Sequence, residues 1–94
     1  MCRNITELRG LEPAATPEEV AAAARQYVRK VTGIRTPNAA VTPAYEQAVA
    51  DIAAITGELL AGLPPRRQPP GTVPPLRRPQ VRARMGLPPF DPTA

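Results

Sequence analysis

The sequence has no histidine, no tryptophan and a single cysteine, Cys2. One cysteine excludes an intramolecular disulfide, and one thiol without histidine argues against a protein-only zinc site. No cofactor is expected. Aromatic side chains are scarce: Tyr27, Tyr45 and Phe90 only. Nowhere do about eighteen apolar residues run together, as a membrane span requires. Glu7 and Glu12 interrupt the N-terminus where a signal peptide would carry its apolar stretch. The expectation is a soluble, cytoplasmic protein with no membrane partner and no small-molecule substrate.

Proline, by contrast, is abundant, at 14 of 94 residues. The apolar fraction of 43% rests heavily on alanine, which buries little area per residue. One domain at most fits this length. A core so thin is the kind that a partner or a second copy completes.

Charge divides the chain. The net charge is +4. Residues 64–94 carry Arg66, Arg67, Arg77, Arg78, Arg82 and Arg84 against one acid, Asp91. Residues 1–63 are nearly balanced. The basicity belongs to the tail.

Residues 1–15 read as an irregular arm. Ile5, Leu8 and Leu11 recur every third residue, and Gly10 and Pro13 stop any long helix. The arm is expected to lay those three side chains on the helices that follow. TPEEVAAAARQYVRKVTG then carries a complete set of helix signals. Thr16 is an N-cap, Pro17 suits the first helical position, and Glu19 completes a capping box. Val20, Ala24, Tyr27, Val28 and Val31 form one apolar stripe. Gly33 suits a left-handed C-terminal position. A helix is predicted over about 17–31.

A second helix is predicted over about 43–61. Thr42-Pro43 repeats the cap-plus-proline start, and Tyr45, Ala48, Val49, Ile52, Ile55, Leu59 and Leu63 mark its stripe. Gly57 weakens its middle by roughly 1 kcal/mol relative to alanine. The fold class is therefore all-α: a small helical hairpin over 1–63, with a short N-terminal arm and an extended Pro/Arg-rich C-terminal tail over 64–94. Proline pairs begin at 64, 69 and 74, with a single proline at 79. The prolines, which lock φ and remove amide donors, favour polyproline II with no internal hydrogen bonds, and at about three residues per turn their five-residue period winds them around the strand. Residues 81–87 lack proline and permit one helical turn.

The start Met1-Cys2-Arg3-Asn4-Ile5, Glu12-Pro13 with Ala15-Thr16 and Glu18-Glu19-Val20, the stretch Gln26-Tyr27-Val28-Arg29-Lys30-Val31 with Gly33, and Ala48-Val49 occur together and in order. With these features residues 1–63 resemble a family of small uncharacterised bacterial proteins, a domain-of-unknown-function family. The resemblance implies an established small helical unit and no particular activity. It also implies a tail rich in lysine, arginine and glutamate after the second helix, so the proline-arginine tail reads as a departure.

Four groups carry candidate chemistry. Cys2 reads either as a small packed side chain or, after removal of Met1, as a thiol beside an α-amine open to oxidation, metal capture or a degradation role. Arg25, Arg29, Lys30 and Arg35 read as a solvated basic face or as an anion contact. Glu46, Asp51 and Glu58 fit an exposed helix face, and no base, metal ligand or glycine-rich loop accompanies them. The chain is therefore expected not to be an enzyme. The tail carries the strongest interaction signal: Arg66, Arg67, Arg77, Arg78, Arg82 and Arg84 for two-point contacts with carboxylates or phosphates, and Phe90 as a lone aromatic anchor. The leading expectation is an accessory or adaptor protein. It would dock on a larger protein assembly, or on further copies of itself, through the apolar helical face and the tail. RNA or ribosome binding through the tail arginines is the alternative, and a thiol or metal role for Cys2 a third.

Overall fold

The computed structural model describes residues 4–66 and 69–91. Its main elements are α1 (Pro17–Thr32), α2 (Thr42–Gly62) and a short α3 (Pro79–Arg84), with a 3-10 turn at Pro75–Arg77 before α3. No strand occurs among the described residues. α1 and α2 pack as a hairpin, so the all-α reading holds, and both helices run within a residue or so of their expected bounds.

α1 begins as its sequence dictates. The Glu19 amide donates to Thr16 Oγ1 at 3.2 Å, and the Thr16 amide donates to Glu19 Oε1 at 2.9 Å. This reciprocal box satisfies two amides that have no intrahelical partner. Gly33 closes the helix at φ 73°, its amide donating to the Arg29 carbonyl.

The start of α2 differs from expectation. Thr42 lies inside the helix, and its hydroxyl donates to the Asn38 carbonyl at 2.8 Å instead of accepting from an amide. Asn38 organises this turn: its side-chain oxygen accepts from the Val41 amide at 3.0 Å and its carbonyl from the Thr42 amide at 2.9 Å. An asparagine side chain mimics a backbone turn in this way, and it does so four residues before the site the Thr-Pro pair suggests. At the far end Leu63 is extended, at φ −80° and ψ 150°, as the two prolines after it demand.

The core has two parts. Ala24 and Val28 meet Tyr45 and Val49 in the middle of the hairpin, with Ile52 alongside. Leu8 and Leu11 of the arm cover Val20 nearer the start of α1, with Ala53 and Leu60 completing the cluster. The arm thus delivers two of its three apolar side chains; Ile5 stays exposed. The Tyr45 hydroxyl donates to the Ile34 carbonyl at 2.9 Å and ties the connector to α2.

The tail is not extended throughout. It leaves α2 extended, turns at Pro75–Arg77, forms α3 two residues earlier than the proline-free run suggests, and turns again at Gly86, φ 73°, before Pro88 and Phe90. It folds back onto the arm and the start of α1. The physical reason is side-chain donors. Proline strips the tail of amides, and arginine guanidiniums replace them.

Candidate functional site

Those arginines are the first expected site residues, and the structure turns several of them inward. Arg77 Nε donates to Glu19 Oε2 at 2.8 Å, with the two side chains only 8% and 2% exposed. Its Nη2 also reaches Glu19 Oε1 at 3.1 Å and the carbonyls of Pro13 and Ala14 at 2.6 and 3.0 Å. Phe90 lies under the same guanidinium, 4.7 Å from its ring centroid, within cation–π range. Arg82 is buried as well; it bonds Glu18 at 3.1 Å, the Leu76 carbonyl at 2.9 Å and the Pro88 carbonyl. Arg66 pairs with Glu7. Arg78 donates to the Val73 carbonyl at 2.9 Å, yet it and Arg84 remain exposed. Cys2 and Arg67 lie outside the described residues.

Arg77 and Arg82, with Phe90, are therefore engaged inside the chain. They staple the tail to Glu18 and Glu19 in the first turn of α1. Burial works against the ionised form of Glu19, but the Arg77 guanidinium and the Thr16 bonds outweigh it, and its pKa sits below the ordinary glutamate value. Glu19 thus serves twice, capping α1 and anchoring the tail. Its place in the TPEE motif marks the first role; the second depends on a residue 58 positions away and leaves no local mark.

Two surfaces of the hairpin stand out among the described residues. One is a flank of the hairpin. Arg25 forks onto Glu46 with two bonds of 2.7 Å; the bond from Arg25 holds the Glu46 carboxyl below its ordinary range, and the bond from Glu46 raises Arg25. At about 100° per residue, Arg25 and Tyr27 stand on opposite sides of the buried ridge of α1, and Glu46 and Ala48 on opposite sides of that of α2. The ion pair closes one flank, so the other two sides face the same way. On or beside that open flank Tyr27, Val31, Ile55 and Leu59 are 51%, 67%, 67% and 60% exposed. All four belong to the expected stripes, and the hairpin alone does not cover them.

The other surface is a cleft of about 680 Å³ between the arm and the C-terminal half of α2. Its floor is shallow side chains: Ala53, Ala54, Gly57 and Ala61. Gly57 meets nothing within 4 Å beyond its missing Cβ, so the cleft is open there. Glu12, Glu58, Arg9 and Arg66 add charge to its lining. Arg9 binds the Pro64 carbonyl at 3.0 Å and Arg66 crosses Gly10, which together hold the arm to the segment after α2. Nothing in the sequence patterns marks this cleft; the mid-helix Gly57 is its one local trace.

A family model described as an uncharacterized conserved protein, DUF2277, matches residues 1–84. The chain belongs to this family. No curated protein and no solved structure matches it. The DUF2277 match runs beyond residue 63 to the last residue of α3. The matched range thus takes in the proline-arginine stretch up to Arg84, beyond the residues 1–63 that carry the resemblance. Arg77 and Arg82, the two staples, fall inside the matched range.

Proposed function

We propose that the protein is non-enzymatic and acts as an accessory module that docks on other protein through the open flank of its hairpin. One observation carries this reading: Tyr27, Val31, Ile55 and Leu59 are exposed together on or beside one flank of the hairpin, whereas the other exposed large apolar side chains, Ile5, Leu63, Val73 and Met85, belong to the arm, the end of α2 and the tail. Exposed apolar patches of this kind mark interaction sites, and tyrosine is enriched among residues that dominate binding. The docking role shifts from the tail to the helices, because Arg77, Arg82 and Phe90 are committed internally. A photo-crosslinker placed at Ile55 or Leu59 in the native host is expected to give discrete protein adducts, and one at exposed Ala50 is not. Equal adducts from all three positions count against the proposal.

A second reading, RNA binding, rests on a smaller set of cations than the tail first offers. Arg78 and Arg84 border one shallow recess with Val81 and Met85. Contacts with phosphates would give binding that weakens steeply with salt. Unchanged RNA affinity after Arg78→Ala with Arg84→Ala removes this alternative.

A further inference from the structure

We propose that the cleft between the arm and α2 receives the C-terminal end of α1 from a second copy of the chain, so that copies join head to tail. This rests on the docking role given above to Tyr27 and Val31, and it names what they dock into.

The cleft is apolar in its floor and acidic in its unpaired charge. Glu12 and Glu58 line it and meet no cation among the described residues. Of its two arginines, Arg66 is neutralised by Glu7, and Arg9 is turned onto the Pro64 carbonyl. Two carboxylates therefore stand against the single charge of Arg9. An occupant that complements this surface has an apolar body and cationic edges.

The chain displays such a segment itself. Tyr27 and Val31, four residues apart on α1, are both exposed. Lys30 stands about 80° round the helix from their midpoint and Arg35 follows just past the helix end, both exposed and without an ion pair among the described residues, whereas Arg29 points to the opposite side. The fourth member of that basic group, Arg25, is already taken by Glu46. The molecule thus has one acidic apolar cleft and one basic apolar projection.

They sit at opposite ends. The cleft includes Pro17 and Val20 from the start of α1; Val31 is fourteen residues further, about 21 Å along the helix. A chain cannot fill its own cleft with that segment, but a neighbour can. Joining two different patches makes a heterologous contact, which propagates into a ring or a filament. Charge complementarity across such a contact sets its orientation and makes it salt-sensitive.

The test uses variants that block one patch each. Gly57→Leu fills the cleft, and the space beyond Gly57 is empty, so the helix tolerates it. Val31→Glu spoils the projection at an exposed position. Sedimentation velocity of the full chain from micromolar to millimolar is expected to show concentration-dependent association, weakened by salt, and each variant alone is expected to associate at least tenfold more weakly. Mixed, the two variants are expected to form a one-to-one dimer that grows no further, because one intact cleft and one intact projection remain. Circular dichroism checks that both variants keep their helices. A wild-type chain that stays monomeric over this range overturns the proposal. So does association that survives both variants, or singly disabled variants that fail to complement, which marks an interface of like with like. Crosslinking from Ile55 in Gly57→Leu separates the two ideas: adducts that persist there while self-association fails leave the docking role standing and remove only this occupant.

Discussion

Arg77 and Glu19 form an ion pair through Arg77 Nε and Glu19 Oε2 at 2.8 Å, almost wholly shielded from water, across 58 positions of sequence. This pair makes the tail part of the fold. Removing one partner leaves the other charge buried without its counter-ion, which costs up to about 3–5 kcal/mol, offset in part by the bonds that remain to the Thr16 amide or to the Pro13 and Ala14 carbonyls. Arg77→Leu and Glu19→Leu are each expected to destabilise within that limit by urea unfolding, and Glu19→Leu also loses its half of the capping box. The double variant is expected to cost less than the sum of the two. Full additivity would show that the residues do not act as a unit.

Acid should open the same contact. Glu19 has its pKa lowered in the folded chain, and so has Glu46 beside Arg25. A lowered carboxylate stabilises the fold above its unfolded value, about 4.3. That stabilisation is lost as pH falls below this value and through the lower folded one. Stability is thus expected to be flat in this respect near neutrality and to decline below about pH 4.3. Amide resonances of Leu76 and Arg77, followed by NMR titration, should shift in this window in the wild type. In Glu19→Gln that transition should be missing.

Two glycines should respond in opposite directions to alanine. Gly10 has φ 86°, and a Cβ there would lie 2.8 Å from Arg66 Cβ and Cδ. Gly10→Ala combines a strained backbone with a clash and is expected to destabilise by about 1–3 kcal/mol. Gly57 sits mid-helix with free space beside it. Gly57→Ala is expected to stabilise by up to about 1 kcal/mol, the usual gain in a helix interior. Thermal melts of the two variants on either side of the wild type would bear this out.

Tyr45→Phe keeps the ring in the core and deletes only the bond to the Ile34 carbonyl. A loss of about 1 kcal/mol is expected, with hydrogen exchange quickening in the connector at 34–41 while the middle of α1 is unaffected. An unchanged connector would place the anchoring of that loop in Asn38 alone.

The hairpin was legible because its signals are local. Thr16, Pro17, Glu19 and Gly33 each act within one helical turn, and the stripes repeat at helical spacing. α2 starts within a residue of where Thr42-Pro43 puts it, but the capping bond that the Thr-Pro pair suggests does not form; Asn38 instead organises the turn just before the helix. The tail was harder to read. A five-residue proline repeat predicts extended chain, and at Pro74 the backbone has that conformation, φ −55° and ψ 145°. The fold-back depends on Arg77 finding Glu19 and Arg82 finding Glu18, and both acids already had an adequate local explanation at the positive end of α1. The cleft is a product of what four separate segments leave unfilled, so no single stretch of sequence announces it.

Arginine clasps in place of backbone ladders carry a consequence for how this protein comes apart. The groups that hold the tail are guanidiniums resting on carboxylates and on carbonyl oxygens. Guanidinium chloride offers the same headgroup at molar concentration, together with the ionic strength that screens such pairs. Urea offers neither the charge nor the salt. For an ordinary small domain guanidinium acts about twice as strongly per mole as urea. Here the tail should detach in guanidinium well before the hairpin melts, while in urea the two should part together.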